Sequence, residues 1–442
     1  MSVQMKVGDF QLNTISGNLS VTGVGFQPKL ILFYHTPDTV DIVNQTANWN
    51  LSYGITDGTT QGSSCIFAPN GNAGLEVSYQ VQATTNCIVG SINTVAWRCT
   101  IVSMDGDGFT INQPAGGLPG VPVRVGYLAI GGTLTGYKAG FFQAAAATGA
   151  QSITGLGFQP TGLIVFGGSS STVVANPTAL VATHTSFSFG MSDGTSGRVA
   201  GYALRSGGVG TKVRGRTMRN DAIMAAPTPN ATFPSTSLAY RSSLTSFDVG
   251  GFTINNVQSG GNRYFFYLAF AGSATKVGNF SSPNLAGAFS VGGLTFDPAS
   301  VITASTYQSA YNIIEGQGQS AGARGALLST GMATDATQQM TIGATAADFV
   351  STSIEGHHSE STKTMRRFAH NPFTTLEMDF AHVGMASGQI NFTCTTPSAT
   401  ISQINYMAIE GAMFTPPPSD PTGGSGDPDS PDSIFLLKYM GL

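Results

Sequence analysis

The sequence predicts an all-β protein: three tandem antiparallel β-sandwich repeats of jelly-roll type, arranged about a pseudo-threefold axis, and an extended C-terminal arm. The first of three observations is a motif that occurs three times, as VTGVGFQP at residues 21–28, ITGLGFQP at 153–160 and VGGLTFDP at 291–298. The second is a series of short apolar or alternating runs separated by turn dipeptides, which is typical of sandwiches. The third is that no window keeps a helical period between capping residues.

Other markers keep the spacing of the motif. Its phenylalanine recurs at intervals of 132 and then 138 residues, at Phe26, Phe158 and Phe296. An opening Val-Gly or Ala-Gly pair follows the same intervals, with its glycine at Gly8, Gly140 and Gly278. A closing Tyr-Leu-Ala or Tyr-Met-Ala run begins at Tyr127, Tyr267 and Tyr406. Agreement at several points indicates tandem copies of one domain, whose opening strand we expect to lie near its closing strand.

The expected boundaries follow from these markers. Repeat 1 covers residues 1–133, repeat 2 covers 134–273 and repeat 3 covers 274–413. A linker rich in Pro, Gly and Asp follows at 414–433, and an apolar peptide at 434–442. Each repeat is long enough to bury a core of its own.

Within a repeat, the motif predicts a turn that leads into a buried strand. Its glycines permit the turn, and its proline fixes φ and supplies no donor. An apolar run follows at once, at residues 30–34 in repeat 1 and 163–166 in repeat 2. Further strands of repeat 1 are predicted at 51–55, 77–81, 95–102 and 109–111. The dipeptides Asp57-Gly58 and Asp107-Gly108 predict hairpin turns between them. Repeat 3 is the most divergent copy.

The composition excludes several classes of protein. Charged residues are only 10% of the chain and the net charge is −4, which argues against a dedicated nucleic-acid binder. No run approaches the length of apolar sequence that a membrane span needs, and the first residues have no signal-peptide pattern. The four cysteines form no regular framework, so we expect reduced thiols and assembly in a cytoplasm.

The C-terminal arm is an unusual end for a globular chain. The linker can bury almost nothing, yet seven large apolar residues follow it. An apolar peptide of this kind is prone to aggregate if it is left in water. We therefore expect it to bind a partner through Ile434, Phe435, Leu436, Leu437, Tyr439, Met440 and Leu442. Whether it docks on its own chain or on a neighbour stays open.

Four stretches resemble catalytic or ligand-binding motifs, and each has a simpler interpretation. Residues 318–322 match GxSxG but lie in a Gly-rich loop without the strand and helix that this motif requires. Residues 105–108 (DGDG) indicate a hairpin turn rather than a calcium loop. Residues 355–360 (EGHHSE) favour a solvated loop over a metal site, and 207–212 lack the phosphate-loop spacing. We predict no catalytic, cofactor or metal site, and no enzyme activity.

One charge pattern is harder to dismiss. Lys212, Arg214 and Arg216 alternate, so a strand would place all three side chains on one face. Repeat 3 has a comparable cluster of Lys363, Arg366 and Arg367. A solvated outer face is one interpretation. The other is a contact with an anionic partner, either a protein or a polysaccharide.

The runs GFQPKLILFY (25–34) and GFQPTGLIVFGG (157–168), with GMSDGT at 190–195, resemble a β-rich module of tailed-bacteriophage virion proteins. The resemblance covers all three repeats and carries no catalytic motif. It implies a structural protein on the exterior of the particle, a capsid decoration or tail-fibre-like component. The triplication and the C-terminal arm depart from that module, and we expect the protein to dock through this arm. Its partners would be other virion proteins and copies of itself, without nucleic acid or membrane insertion. The alternative is a carbohydrate-binding adhesin that recognises a host surface polysaccharide. A hydrolase is disfavoured because repeats 1 and 2 share no cluster of His, Asp and Glu.

Overall fold

The computed structural model confirms the all-β prediction. It describes residues 2–45, 48–70, 78–91, 95–168, 170–175, 177, 181–183, 185–206, 212–228, 237–259, 261–316, 324–347, 355–369 and 375–413. None of these residues is helical, so the described chain contains no helix that could cross a membrane. We call residues 1–133, 134–273 and 274–413 the first, second and third segments.

The described strands occur in the same sequence in each segment. Those of the first are β1 Val3–Leu12, β2 Gly17–Thr22, β3 Pro28–His35, β4 Ile42–Gln45, β5 Trp49–Thr56, β6 Gln61–Ala68, β7 Ser78–Ala83, β8 Ile88–Ser91, β9 Val95–Asp105, β10 Gly108–Gln113 and β11 Val123–Gly132. Those of the second are β12 Gly136–Gln143, β13 Gly149–Thr154, β14 Gly162–Gly167, β15 Val181–Thr183, β16 Thr185–Ser192, β17 Gly197–Ser206, β18 Lys212–Arg219, β19 Met224–Pro227, β20 Leu238–Asp248, β21 Gly251–Gln258 and β22 Tyr264–Ala271. Those of the third are β23 Thr275–Ser281, β24 Gly287–Val291, β25 Pro298–Ser305, β26 Ile314–Gly316, β27 Arg324–Ala333, β28 Gln339–Ala347, β29 Glu355–Glu360, β30 Met365–Phe368, β31 Leu376–Ala386, β32 Gln389–Thr396, β33 Gln403–Glu410 and β34 Ala412–Met413.

Each segment builds one large and one small antiparallel sheet with one strand order. The large sheets run β7-β6-β5-β3-β11-β1, β18-β17-β16-β14-β22-β12 and β29-β28-β27-β25-β33-β23. The small sheets run β2-β10-β9-β8, β13-β21-β20-β19 and β24-β32-β31-β30. The opening strand pairs directly with the closing strand, with Gly8 opposite Tyr127, Gly140 opposite Tyr267 and Gly278 opposite Tyr406. The expected proximity of the two ends of each segment is confirmed.

Both faces of each large sheet are buried, which explains the continuous apolar runs. In β3, Leu30 and Leu32 join a central core, whereas Ile31 and Phe33 join a second core against the small sheet. The other two segments repeat this alternation around cores of their own. The central core is different, because it contains residues of all three segments. The large sheets therefore pack against one another through one shared interior.

Tyr53 shows how closely the segments meet in the central core. Its ring stacks on Phe187 with the two ring planes 18° apart and the centroids at 5.5 Å, and the centroid of Phe166 lies at 5.8 Å. Its hydroxyl lies 3.0 Å from the hydroxyl of Thr330. One side chain of the first segment thus contacts both of the others. This buried hydroxyl pair also orients the ring.

The recurrent motif forms a turn that holds the small sheet against the large one. In the first segment, the hairpin carboxylate of Asp107 accepts hydrogen bonds from the backbone N–H groups of Gly23 and Gly25. Both glycines have positive φ, near 80°, a conformation that side chains with a Cβ rarely adopt. Pro28 then begins β3. The prediction of a turn that leads into a buried strand is confirmed.

The opening glycine of each segment makes room for the closing tyrosine. A Cβ at Gly8 would lie 2.5 Å from the hydroxyl oxygen of Tyr127, and one at Gly140 would lie 2.4 Å from that of Tyr267. The ring therefore crosses the neighbouring strand where no side chain stands. These two sequence markers recur together because they occupy the same space.

A second set of glycines lies where the two sheets come closest. A Cβ at Gly190 would lie 1.9 Å from the carbonyl oxygen of Ile223, and Gly54 and Gly331 meet the carbonyls of Cys87 and Thr364 in the same way. The obstacle is backbone, so it cannot rotate away as a side chain does. We expect Gly190→Ala to lower the free energy of unfolding by about 1–3 kcal/mol, measured by urea denaturation.

Gly250→Ala is the matched control for Gly190→Ala. Gly250 lies in the same segment, and nothing is within 4 Å of its Cβ position. Because the added methyl group meets open space, we expect this substitution to change stability by less than about 0.5 kcal/mol. Equal effects of the two substitutions would contradict the close approach of the sheets.

Candidate functional site

The most distinctive feature of the molecule is a cyclic exchange of edge strands between segments. β15 of the second segment adds to the large sheet of the first, beside β7. β26 of the third adds to the large sheet of the second, beside β18. β4 of the first adds to the large sheet of the third, beside β29. We call these contacts seam 1/2, seam 2/3 and seam 3/1; together they close a ring.

A second contact passes around the ring in the same way. The backbone N–H of Ala139 donates to the carboxylate of Asp57, at 3.1 Å, and that of Val277 donates to Asp193, at 2.9 Å. At seam 3/1 the backbone N–H of Val7 donates instead to the Thr334 hydroxyl, at 3.1 Å. In each case the turn after the fifth strand of one segment binds the opening strand of the next. Some of the backbone hydrogen-bonding groups on the edges of these opening strands are therefore paired within the same chain.

Seam 2/3 contains the alternating basic residues that the sequence analysis singled out. Arg214 and Arg216 lie on β18 with side chains only 2% and 6% exposed. Arg214 pairs with Glu355, which is equally buried, and Arg216 pairs with Glu315. Both carboxylates belong to the third segment.

This location corrects both interpretations of the basic pattern for these two arginines. They are on neither a solvated face nor a surface open to an anionic partner, because both are buried and pair with Glu355 and Glu315 of the third segment. Lys212 begins β18, and its side chain lies outside the described residues. The electrostatic contact exists, but it joins two parts of one chain.

The comparable cluster in the third segment is also internal. Arg366 binds the carboxylates of Glu360 and Asp379, at 2.8 and 3.2 Å, and Arg367 binds Glu377 at 2.7 Å. Lys363 lies 3.6 Å from Asp379. Since the two arginines are nearly inaccessible to water, their charges stabilise the segment only together with these carboxylates.

Seam 3/1 is built around residues 355–360, which form the buried strand β29. The expectation of a solvated loop here is wrong, because β28 and β4 pair with the two edges of this strand. His357 and His358 point to opposite faces, as the period of a strand requires. The ring of His357 lies 3.0 Å from the carboxylate of Asp38, across the seam. Asp41 also crosses the seam and accepts hydrogen bonds from the backbone N–H and hydroxyl of Ser361.

The end of the described chain returns to its beginning. β34 pairs in parallel with β1, with Ala412 opposite Gln4 and Met413 opposite Met5. The described part of the chain therefore ends at seam 3/1. The predicted partner-binding residues lie outside the described part of the chain: Ile434, Phe435, Leu436, Leu437, Tyr439, Met440 and Leu442.

The remaining sequence motifs have simple positions. Residues 105–108 connect β9 and β10 as a hairpin, as predicted. Residues 318–322 and 207–211 lie outside the described residues. The four cysteines are free and buried, in agreement with the expected reduced thiols. Within the described ranges, no three His, Cys, Asp or Glu side chains are grouped as metal ligands.

One open cleft lies beside seam 2/3. It has a volume of about 470 Å³ and is lined by hydrogen-bonding groups of Arg219, Gln258 and Asn312 together with the apolar side chains of Ile313 and Leu238. Asp221 binds Arg219 at 2.8 Å nearby, so the guanidinium is held in place. The cleft offers donors and acceptors, and its described lining includes no aromatic side chain.

Buried histidines give the protein an acid-sensitive stability. Burial and the neighbouring charge of Arg366 lower the pKa of His358 to about 3. An unfolded histidine binds a proton near pH 6.5, so below that pH the unfolded state takes up protons that the folded state refuses. We expect stability to fall by about 1.4 kcal/mol per pH unit from this residue as the pH drops from 6.5 toward 3.

Urea denaturation at several pH values tests this acid sensitivity. His358→Phe removes the titrating group and keeps a ring beside Phe368, whose centroid is 5.3 Å from that of His358. The slope of stability against pH below 6.5 should be smaller in this variant by about 1.4 kcal/mol per unit. An unchanged slope would show that His358 titrates normally.

Sequence comparisons add no family assignment to these structural observations. No protein-family model matches the chain, and none of the curated proteins compared with it has a similar sequence.

Proposed function

We propose that the three segments are tandem β-sandwich modules related by a pseudo-threefold axis, so that one chain imitates a trimer. Three observations support this: the common strand order, the shared central core and the cyclic strand exchange. In a homotrimer such an exchange is a heterologous contact that closes after three copies. Ten strands in two sheets per module exceed the eight of a jelly roll, so a plain sandwich is the better description.

We further propose that the protein is a non-enzymatic structural component on the exterior of a bacteriophage particle, either a decoration or a fibre-like part. The observation that carries this proposal is the use made of buried charge. Arg214, Arg216 and His357, which would be candidates for chemistry elsewhere, are paired across seams and bind segments together. The sequence resemblance to phage virion modules is the reason for placing the protein on a bacteriophage particle. The protein would be assembled in the host cytoplasm, with other virion proteins and copies of itself as partners.

The C-terminal arm is the proposed docking element. It follows Met413, the last described residue, which pairs with β1 at seam 3/1, and its linker of polyproline-like composition, at about 3.1 Å per residue, would reach roughly 60 Å. Four or five apolar anchors buried in a partner would contribute roughly 6–15 kcal/mol, at about 1.5–3 kcal/mol each. Ordering the peptide costs about 1–2 kcal/mol per residue, so added backbone hydrogen bonds on a sheet edge are needed for firm binding.

Deletion of residues 434–442 tests this proposal. We expect the shortened protein to keep its thermal stability and to lose attachment to particles or oligomers, measured by cosedimentation with particles that lack the protein. The matched control deletes nine linker residues, 419–427, and leaves the apolar peptide intact; it should still attach. A protein without 434–442 that attaches normally would refute docking through the arm. A large loss of stability would indicate that the peptide folds back on its own chain.

A carbohydrate-binding adhesin is the second candidate, and the cleft at Arg219, Gln258 and Asn312 favours it. Its amide and guanidinium groups match the hydrogen bonds that sugar hydroxyls make. A glycan array, or binding to isolated host envelope, distinguishes the candidates. A structural component should bind no glycan. Binding that Gln258→Ala abolishes would favour the adhesin.

A further inference from the structure

The two ring nitrogens of His357 both face hydrogen-bond acceptors. Nε2 lies 3.0 Å from a carboxylate oxygen of Asp38, and Nδ1 lies 2.6 Å from the backbone carbonyl oxygen of Asn48. A carbonyl oxygen only accepts, and so does an ionised carboxylate. A neutral imidazole has one N–H and would leave one of these contacts without a proton. The geometry is satisfied when both nitrogens carry a proton.

We infer that His357 is a buried imidazolium that locks seam 3/1, and that loss of its proton at alkaline pH releases this seam. The second ion of the lock is Asp38, whose other oxygen accepts from the Thr36 hydroxyl at 2.5 Å. The first segment supplies Asp38 and Asn48, and the third supplies His357. A neutral His357 leaves a buried carboxylate without its counter-charge.

Seam 3/1 is the one at which a lock matters most. The first and second segments are joined covalently between β11 and β12, and the second and third between β22 and β23. No such connection links the third segment to the first. There the described contacts include the pairing of β4 with β29, the pairing of β34 with β1, the polar contacts of Asn70, Asp41 and Thr334, and the central core. This seam alone can open without strain on a linker.

The surrounding charged groups leave Asp38 as the direct counter-ion. Asp41, on the same loop, is engaged by Arg124 and Ser361. On the third segment, Glu360 binds Arg366, and Glu355 at the start of β29 binds Arg214 of the second segment.

Two further histidines lie near the lock. His358 faces the opposite side of β29, beside Phe368, and His35 lies near Asp38 and Trp97. Burial lowers the pKa of His358 to about 3 and that of His35 to about 4, so both stay uncharged at neutral and alkaline pH.

The acid–base balance agrees with the geometry. Burial alone would lower the pKa of His357, but Asp38 and the Asn48 carbonyl outweigh burial and raise it above 6.5. Burial would likewise raise the pKa of Asp38, yet His357 lowers it. The contact between His357 and Asp38 therefore contributes its full stabilisation below pH 6.5, and this stabilisation is lost as the pH rises through the raised pKa of His357. Between these limits the opening constant of the seam grows up to tenfold per pH unit.

Nuclear magnetic resonance of the full-length protein with ¹⁵N-labelled histidine tests the protonation state directly. The spectrum of His357→Gln assigns the resonance. We expect both nitrogens of His357 to carry protons at pH 7 and to titrate with a pKa above 6.5. In Asp38→Asn this pKa should fall below 6.5, whereas the control Asp41→Asn, on the same loop, should leave it unchanged. A singly protonated His357 at pH 6 would overturn the inference.

Hydrogen exchange of the native protein tests the seam itself, and it needs no variant that has to fold. After correction for intrinsic rates, protection of residues 42–45 and 355–360 should fall up to tenfold per pH unit above pH 6.5. Residues 78–83 and 181–183 at seam 1/2 are the internal control and should stay protected. Constant protection of seam 3/1 across the titration would also overturn the lock, even with a charged His357.

Discussion

Replacing Arg214 with alanine is expected to lower the free energy of unfolding by about 3–5 kcal/mol. The guanidinium is 2% exposed and pairs with Glu355, which is 1% exposed, so its removal takes a counter-charge away from a buried carboxylate. The two residues belong to different segments. Urea denaturation measures the loss, and hydrogen exchange should show that the third segment loosens with the second.

Two controls isolate the cause of this effect. Arg241→Ala removes an exposed ion pair with Asp221 at 3.3 Å, which should cost less than about 1 kcal/mol. The double substitution Arg214→Met with Glu355→Leu removes both charges and should recover most of the lost stability. If Arg214→Ala lowers the free energy of unfolding no more than Arg241→Ala does, Arg214 is not buried against Glu355.

Phe166→Ala is expected to cost about 3–5 kcal/mol, as do other deletions of buried rings. Phe166 is fully buried in the central core, between Tyr53 of the first segment and Phe266 of the second. Because that core is shared, we expect all three segments to lose protection together in hydrogen exchange. Thermal unfolding should remain one transition at a lower temperature.

The matched control for Phe166→Ala is Phe141→Ala, in the same segment. Phe141 is 40% exposed, so its replacement with alanine should lower the free energy of unfolding by about 1 kcal/mol or less. A loss of protection confined to residues 134–273 in Phe166→Ala would show that the segments unfold independently and that the central core is not cooperative.

Local patterns predicted the elements that depend on neighbours in sequence. The Gly-Phe-Gln-Pro turn is readable because positive φ and a following apolar run leave a local trace. The pairing of opening and closing strands is readable because Gly8 and Tyr127, and their counterparts, have complementary shapes. Apolar runs after the turn also indicated buried strands.

Contacts between distant parts of the chain left no comparable trace. β4, β15 and β26 have only three or four residues each, too few for a period, and their partners belong to other segments. The alternation of Arg214 and Arg216 correctly indicated a strand. Their burial depends on Glu355 and Glu315, which follow 141 and 99 residues later. The available signal was that these two glutamates have no basic residue close to them in the sequence, and this signal is weak.

The same reasoning explains the error at residues 355–360. A polar run with two adjacent histidines is typical of a loop when its sequence is read alone. Here the carboxylate of Asp38 contacts one histidine, and Phe368 packs on the other, so the run is tolerated inside a sheet. Neither partner is adjacent in sequence, and burial of the pair becomes visible only once seam 3/1 is formed.

Small-angle X-ray scattering of the full-length protein tests the closed ring most directly. Three modules packed around one core should give a radius of gyration of about 22 Å, as expected for a compact chain of this length. Three separate modules in a row would give about 35 Å from the same scaling for each module. A compact, single-peaked pair-distance distribution near the first value is the result that the ring predicts. An elongated distribution with resolved peaks would contradict it.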